Sequence, residues 1–353
     1  MLKGKIIDKA LNAGDSIETE RSRCLRMRFN QNSCARCIEQ CRFNAITIAE
    51  DVSISTGKCS ECMLCVSACP SDCFDISRLD FYSLIGKLRK VQSSVTSPVL
   101  GCRANAKTPS HEKTFCFGFL SEEHIIALAV LMHNQIQIDL SGCESCRNSF
   151  IVAVLEKRIA DVEVKTSLII SDKIKIVKNK ADLKFDDVSY DRRGFFKALK
   201  NVTVMQAAGL FGDEDTGEEM RSYSAKKLPF KRELLNRALS VLPVGDSLPQ
   251  ATRRGETLQE EPRHGLLKNY YYTVNAAETC NNCFACIGMC PTGALKIEDK
   301  GDDRELFFSA SLCNGCGLCR DFCFNSALRI EKGFSGGSPF EFISVKKEVL
   351  CEA

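Results

Sequence analysis

CNNCFACIGMCP, from Cys280 to Pro291, and CNGCGLCRDFCF, from Cys313 to Phe324, carry the same cysteine spacing twice. Cys280, Cys283, Cys286 and Cys290 make one run; Cys313, Cys316, Cys319 and Cys323 make the other. Three thiolates two residues apart form a tight loop that grips three irons of one [4Fe-4S] cubane, while the fourth, set off by three residues, reaches the neighbouring cluster. This crossed rule assigns Cys280, Cys283, Cys286 and Cys323 to one cluster and Cys313, Cys316, Cys319 and Cys290 to the other. Zinc also takes four cysteines, but its sites usually come as two separated C-x-x-C pairs rather than four-cysteine runs.

In spacing and in Pro291 the block from about Val274 to Lys332 resembles the bacterial two-cluster ferredoxins, with Phe324 where a second proline is usual. Upstream, Cys59, Cys62, Cys65 and Cys69, followed by Pro70, form another complete run. The run before it is broken. Cys34, Cys37 and Cys41 fit its last three positions, but Gln31 stands where the first cysteine belongs. Either that cluster has lost a ligand and is a three-iron centre, or Cys24, the only cysteine upstream, folds back over it. The second reading is preferred, and the crossed rule then groups Cys24, Cys34, Cys37 and Cys69, with Cys59, Cys62, Cys65 and Cys41 next to them. After Cys41 come the apolar stretch Ala45 to Ala49 and a second ending at Ile54. After Cys290 come Ala294 to Ile297, a turn at KGDD, and Leu306 to Phe308. Each pair reads as a hairpin over the clusters, so the chain ends are an internal repeat.

The chain has 353 residues, enough for two or three domains. It has 22 cysteines, no tryptophan, and a start without the apolar core of a signal peptide. The expectation is a reducing, cytoplasmic setting with thiols committed to metal. No apolar run approaches the roughly 18 residues of a spanning helix; Ile125 to Met132 is broken off by His133 and Asn134. With 48 basic and 45 acidic side chains, neither nucleic acid nor an anionic membrane is an expected partner.

Between the terminal blocks, PVLGC reads as a buried strand and Ser121 as the N-cap of a helix through roughly Met132. Ile136 to Leu140 reads as a strand, followed by a helix through about Arg158 and a β-branched stretch ending at Ile170. Alternating strands and helices imply a small parallel α/β layer, with Cys102, Cys116, Cys143 and Cys146 at strand ends or adjoining loops. Free cysteines are often simply buried, yet the C-x-x-C of Cys143 and Cys146 favours metal, most simply a [2Fe-2S] or other iron-sulfur cluster. The arrangement is similar to thioredoxin-like [2Fe-2S] ferredoxins and to the small iron-sulfur subunit linking hydrogenases to heterodisulfide reductase, although the last two cysteines are closer here. A redox disulfide stays open.

Beyond Lys180, DRRGFFKALKN with Arg192 and Arg193 resembles a twin-arginine export signal, but its internal position favours a plain helix. An acidic patch and a basic one (Lys226, Lys227, Lys231, Arg232) follow, read with the polar stretch to about Gly265 as linker or docking surface. The expected fold is α+β, two ferredoxin-like 2[4Fe-4S] modules at 20–82 and 270–334 flanking a parallel α/β domain at 95–185, with a helical segment and linker at 186–265. Four [4Fe-4S] clusters account for sixteen cysteines and the middle domain for four; Cys73 and Cys351 are left over. No dinucleotide fingerprint, phosphate loop or catalytic carboxylate pair is present. The four histidines, at 111, 124, 133 and 264, form no sequence cluster, and no catalytic residue is assigned. The leading expectation is a polyferredoxin-like electron-transfer subunit working between redox enzyme subunits and soluble electron carriers. The alternatives are a thiol or iron-sulfur oxidoreductase with its site in the middle domain, and a cluster-based sensor or assembly protein.

Overall fold

The computed structural model describes residues 16–77, 79–105, 107–187, 225–242, 252–253, 256–257, 261–300 and 303–348. Arg192, Arg193 and Cys351 lie outside them. The described chain is mixed α/β.

At the N-terminal end, β1 (Ile17–Thr19) pairs antiparallel with β4 (Phe74–Ile76), and β2 (Ile46–Ile48) forms a hairpin with β3 (Val52–Ile54). The core here is small and unusual: Cys24, Cys37, Ile46, Val52, Cys65, Cys69, Cys73 and Phe74. Most of those side chains are thiols, so little hydrocarbon is available to hold the unit together. Helix α1 (Phe81–Val91) then leaves the unit. Asp80 caps it by accepting from the Ser83 amide at 3.1 Å, and Phe81, Leu84, Ile85, Leu88 and Val91 recur at helical spacing to form its buried stripe.

Next comes a four-stranded, all-parallel sheet of β5 (Val99–Cys102), β6 (Glu112–Thr114), β7 (Ile136–Asp139) and β8 (Ile174–Val177), in the order β6-β5-β7-β8. Helix α2 (Glu122–Leu131) is apolar nearly all round and buried from His124 to Ala129, as a helix enclosed by a core must be. Ser121 stands at its N-cap, but the Ser121 hydroxyl bonds His124 Nδ1 at 2.8 Å instead of capping a backbone amide. Helix α3 (Ile151–Thr166) runs two turns past the end expected near Arg158. Its β-branched tail, VEVKT, stays helical because Val162 and Thr166 are buried on the stripe begun by Ile151 and Leu155, overriding weak β preference.

Within the basic patch Lys226 and Lys227 are exposed, Lys226 donating to the Ile287 carbonyl at 2.9 Å, but the other two cations are buried. Lys231 and Arg232 belong to helix α4 (Phe230–Val241) and are 7% and 6% exposed. Leu234, Leu235, Ala238 and Leu239 of the same helix pack against α2 in the core. Helix α5 (Pro262–Tyr270) is also packed: a methyl on Gly265 would strike the backbone of Lys165 and Thr166 at the end of α3.

The C-terminal end repeats the N-terminal element order. β9 (Tyr272–Ala277) pairs antiparallel with β12 (Leu328–Lys332) around a hairpin of β10 (Leu295–Lys300) and β11 (Asp303–Phe308). Short strands at Ile343–Ser344 and Lys347–Glu348 extend the two sheets. Its apolar side chains, including Leu295, Phe308 and Leu328, belong to one core continuous with the α/β layer and α4.

Candidate metal centres

Each complete cysteine run is built on a backbone most residues avoid. Glu61 and Met63, Asn282 and Phe284, and Gly315 and Gly317 stand two and four residues after the first cysteine of their runs. All six are left-handed, with φ of 55°, 63°, 55°, 59°, 66° and 83°. Asn44, Asp72, Gly293 and Ser326 stand three residues after Cys41, Cys69, Cys290 and Cys323, again left-handed at 49°, 51°, 72° and 49°. For the non-glycine residues this costs on the order of 1–3 kcal/mol each. Outside the runs, the described residues hold one other non-glycine of this kind, Ser167, at the end of α3. The strain curls each loop so that its amides face sulfur. Glu61 and Gly315 donate to Cys59 and Cys313 at 3.4 Å, while Ala45, Cys73 and Ala327 donate to Cys41, Cys69 and Cys323 at 3.3, 3.2 and 3.3 Å.

The thiols gather in five sets, seen in which neighbours perturb each one. Burial, then Cys280, Cys283 and Cys323, pushes Cys286 up to about 11. Burial, then Cys313 and Cys290, pushes Cys316 up to about 12. Cys59 is raised by burial and by Cys62 and Cys41. Cys37 is pushed up to about 12 by burial, Cys69, Cys34 and Cys24. Cys24 thus stands with Cys34, Cys37 and Cys69. Gln31 is elsewhere: it lines a cavity of about 530 Å³ beside Cys280, Cys283, Cys286 and Cys323. The broken run also lacks the left-handed curl, since Ala35, four residues after Gln31, has φ of −125°.

Cys73, left over in the sequence, joins this set. It is 1% exposed, and its thiol donates a hydrogen bond to Cys24. That bond, with the Met27 and Arg26 amides, lowers Cys24 to about 6 while Cys73 is held well above the ordinary thiol range. Its spacing from Cys69 repeats the position of Ala45 and Ala327, where the small side chain leaves room; no spacing rule marks it as a partner.

The fifth set lies at the C-terminal edge of the parallel sheet. Cys102 ends β5, Cys116 follows β6, and Cys143 and Cys146 lie between β7 and α3. Burial pushes Cys116 up to about 12, helped by Cys102, Cys62 and Cys143. Burial, Cys102 and Cys146 push Cys143 up to about 11. The Asn148 amide donates to Cys146 at 3.4 Å. This edge is clamped on the Cys59 loop: Arg147 and Asn148 donate to the carbonyls of Lys58 and Ser60 at 3.1 and 2.8 Å. Gly118 lies so close that a methyl there would collide with the Cys62 carbonyl.

Crowded, half-buried thiols that raise one another's pKa cannot all ionise alone; a multinuclear cation makes them thiolates and neutralises them. Among the described residues no group of three or more His, Cys, Asp or Glu side chains is gathered for a single ion. The donor sets fit iron-sulfur clusters.

Over 52 residues the chain is 48% identical to the isethionate sulfite-lyase activating enzyme of Oleidesulfovibrio alaskensis, a match spanning 14% of this chain and 16% of that enzyme. No family model matches the chain, and no solved structure does. No helix among the described residues is long and apolar enough to cross a membrane.

Proposed function

We propose that this chain is an iron-sulfur electron-transfer protein, with two ferredoxin-like modules at its ends and a fifth centre in the α/β layer, its redox sites forming a single file. The observation that carries this is adjacency. Cys116 of the sheet edge neighbours Cys62, Cys65 of that set neighbours Cys37, and Cys319 neighbours Cys286. Between Cys69 and Cys313 the loops are tied by a side chain, the Asn314 Nδ2 donating to the Pro70 carbonyl at 2.9 Å. Clusters bound there would each take and release one electron.

The protein's own part is to hold and tune. The curled loops fix the thiols, amide donors to sulfur raise the affinity for an electron, and apolar side chains keep water away. Lys231 braces the middle of the file, donating to the carbonyls of Val66, Ser67 and Cys69 and pairing with Asp72 at 3.6 Å. Cys283 is exposed, which makes the Cys280 set a natural point of exchange with a soluble carrier. The likeness to an activating enzyme covers about the length of one terminal module, as expected of a shared cluster-bearing segment rather than a shared reaction.

The test is full reduction of anaerobically purified protein followed by electron paramagnetic resonance. Adjacent reduced clusters broaden one another's signals, so interacting spectra are expected. Sharp, independent signals from every cluster would count against a single file.

A further inference from the structure

Helices α2, α3 and α4 meet both terminal modules at a polar cleft of about 290 Å³, a junction absorbed by none of the cysteine sites. We propose that this cleft binds a small oxyanion through Arg232, with Lys332 and Arg36 at its mouth.

Charge accounting within the cleft leads there. Of the cations lining it, Lys165 is committed to Glu122 at 2.7 Å and Lys231 to backbone carbonyls and Asp72. Arg158 is committed to the carbonyls of Gly118 and Leu120, at 3.0 and 2.7 Å, and to Ser67. Arg36 and Lys332 make no side-chain hydrogen bond or ion pair with a carboxylate among the described residues, although Arg36 lies near the Cys34 thiol. Two carboxylates face the same space, Glu122, held by Lys165 and the Tyr270 hydroxyl, and Glu123. Arg232 is the decisive residue. Only 6% exposed, it donates from Nη2 to the Tyr270 carbonyl at 2.7 Å and lies over the rings of Tyr271 and Tyr272 at 4.7 and 5.8 Å. Its guanidinium also acts on the Tyr271 hydroxyl, but Nη1 is sealed from solvent with no acceptor among the described residues. A buried guanidinium nitrogen without a partner is rare, and paired oxygens on one atom match its fork. A cleft of about 290 Å³ has room for phosphate, sulfate or a three-carbon dicarboxylate.

The cleft also has a place in the file. Pro70 and Asn314, which join the Cys24 and Cys313 sets, are among its walls. A bound anion would stand beside the hop between the two modules and disfavour electrons on either side of it.

The test is isothermal titration calorimetry of the anaerobically prepared full-length protein with inorganic phosphate, sulfate and malonate, in chloride buffer, with iron measured on the same samples. We expect saturable binding at one site per chain, malonate against phosphate telling an organic carboxylate from an inorganic ion. Tenfold or greater weakening is expected in Arg232→Gln and severalfold weakening in Lys332→Ala. No saturable binding of any probe by iron-loaded protein overturns the proposal, as does wild-type affinity in iron-loaded Arg232→Gln. Should Arg232→Gln not fold, Lys332→Ala decides, since its side chain is exposed and has no partner among the described residues; unchanged affinity there overturns the proposal. Iron content is read separately, so a failed anion site and a failed cluster assignment give different results.

Discussion

Asn314 holds the two halves of the molecule together at the point where two cysteine sets meet. Its Nδ2 donates to the carbonyl of Pro70, directly after Cys69, at 2.9 Å, while its Oδ1 accepts from the Cys316 amide at 3.2 Å. One side chain therefore fixes both the loop carrying Cys313 and Cys316 and that loop's distance from the N-terminal module. Asn314→Ala should cost about 1–2 kcal/mol in denaturant unfolding. It should also weaken the spin interaction between the Cys24 and Cys313 sets. Loss of stability with unchanged interaction would leave the residue a purely local brace.

Removing Cys24 alone should be a weak test of its role, because the Cys73 thiol stands next to it, buried and ready to replace it. The expectation is that Cys24→Ala keeps much of its four-iron centre and that Cys24→Ala/Cys73→Ala converts it to a three-iron cluster, with a new signal near g of about 2 in oxidised protein. A three-iron signal in neither variant would mean that Cys24 is not a ligand.

Gly118 is where the sheet edge presses on the Cys59 loop. Any side chain there meets the Cys62 carbonyl, which is backbone and cannot swing aside. Gly118→Ala should destabilise the protein by about 1–3 kcal/mol and perturb the spectra of the sheet-edge and Cys59 sets together. Change confined to one set would show that the two are not mechanically joined.

His124 gives the fold a pH dependence of its own. It is enclosed by Phe81, Phe119 and Phe230, and burial, with the charges of Lys231 and Arg158, lowers it from 6.5 to about 3. As pH falls below 6.5 the unfolded chain takes up this proton and the folded one does not until about pH 3. Stability is thus lost progressively across that window, by up to about 1.4 kcal/mol per pH unit. His124→Phe should show a shallower decline between pH 6.5 and 5 in denaturant titrations; an unchanged slope would place the dependence elsewhere.

What could be read beforehand followed from local rules. Cysteine spacing is a local property, so the four runs and the sheet-edge cysteines stood out, and alternating apolar stretches announced both hairpins. The burial of Lys231 and Arg232 could not be read, because two adjacent cations look like surface until their partners, carbonyls and aromatic rings from distant segments, are in place. His124 was equally silent: one histidine on an apolar helix does not reveal the three phenylalanines around it. Cys73 carried no spacing signal, and the displacement of Gln31 toward the Cys280 set depends on docking between the chain's two ends.

The N-terminal unit offers the most direct test of the whole account, since its own core consists mostly of thiols. Mössbauer spectroscopy with iron quantitation on anaerobically prepared full-length protein should find about sixteen irons in [4Fe-4S] form, with any further iron at Cys102, Cys116, Cys143 and Cys146. Removing that iron with a chelator should unfold residues 16–77 before the α/β layer. Stoichiometric zinc with little iron, or an iron-free protein whose N-terminal unit stays folded, would contradict the account.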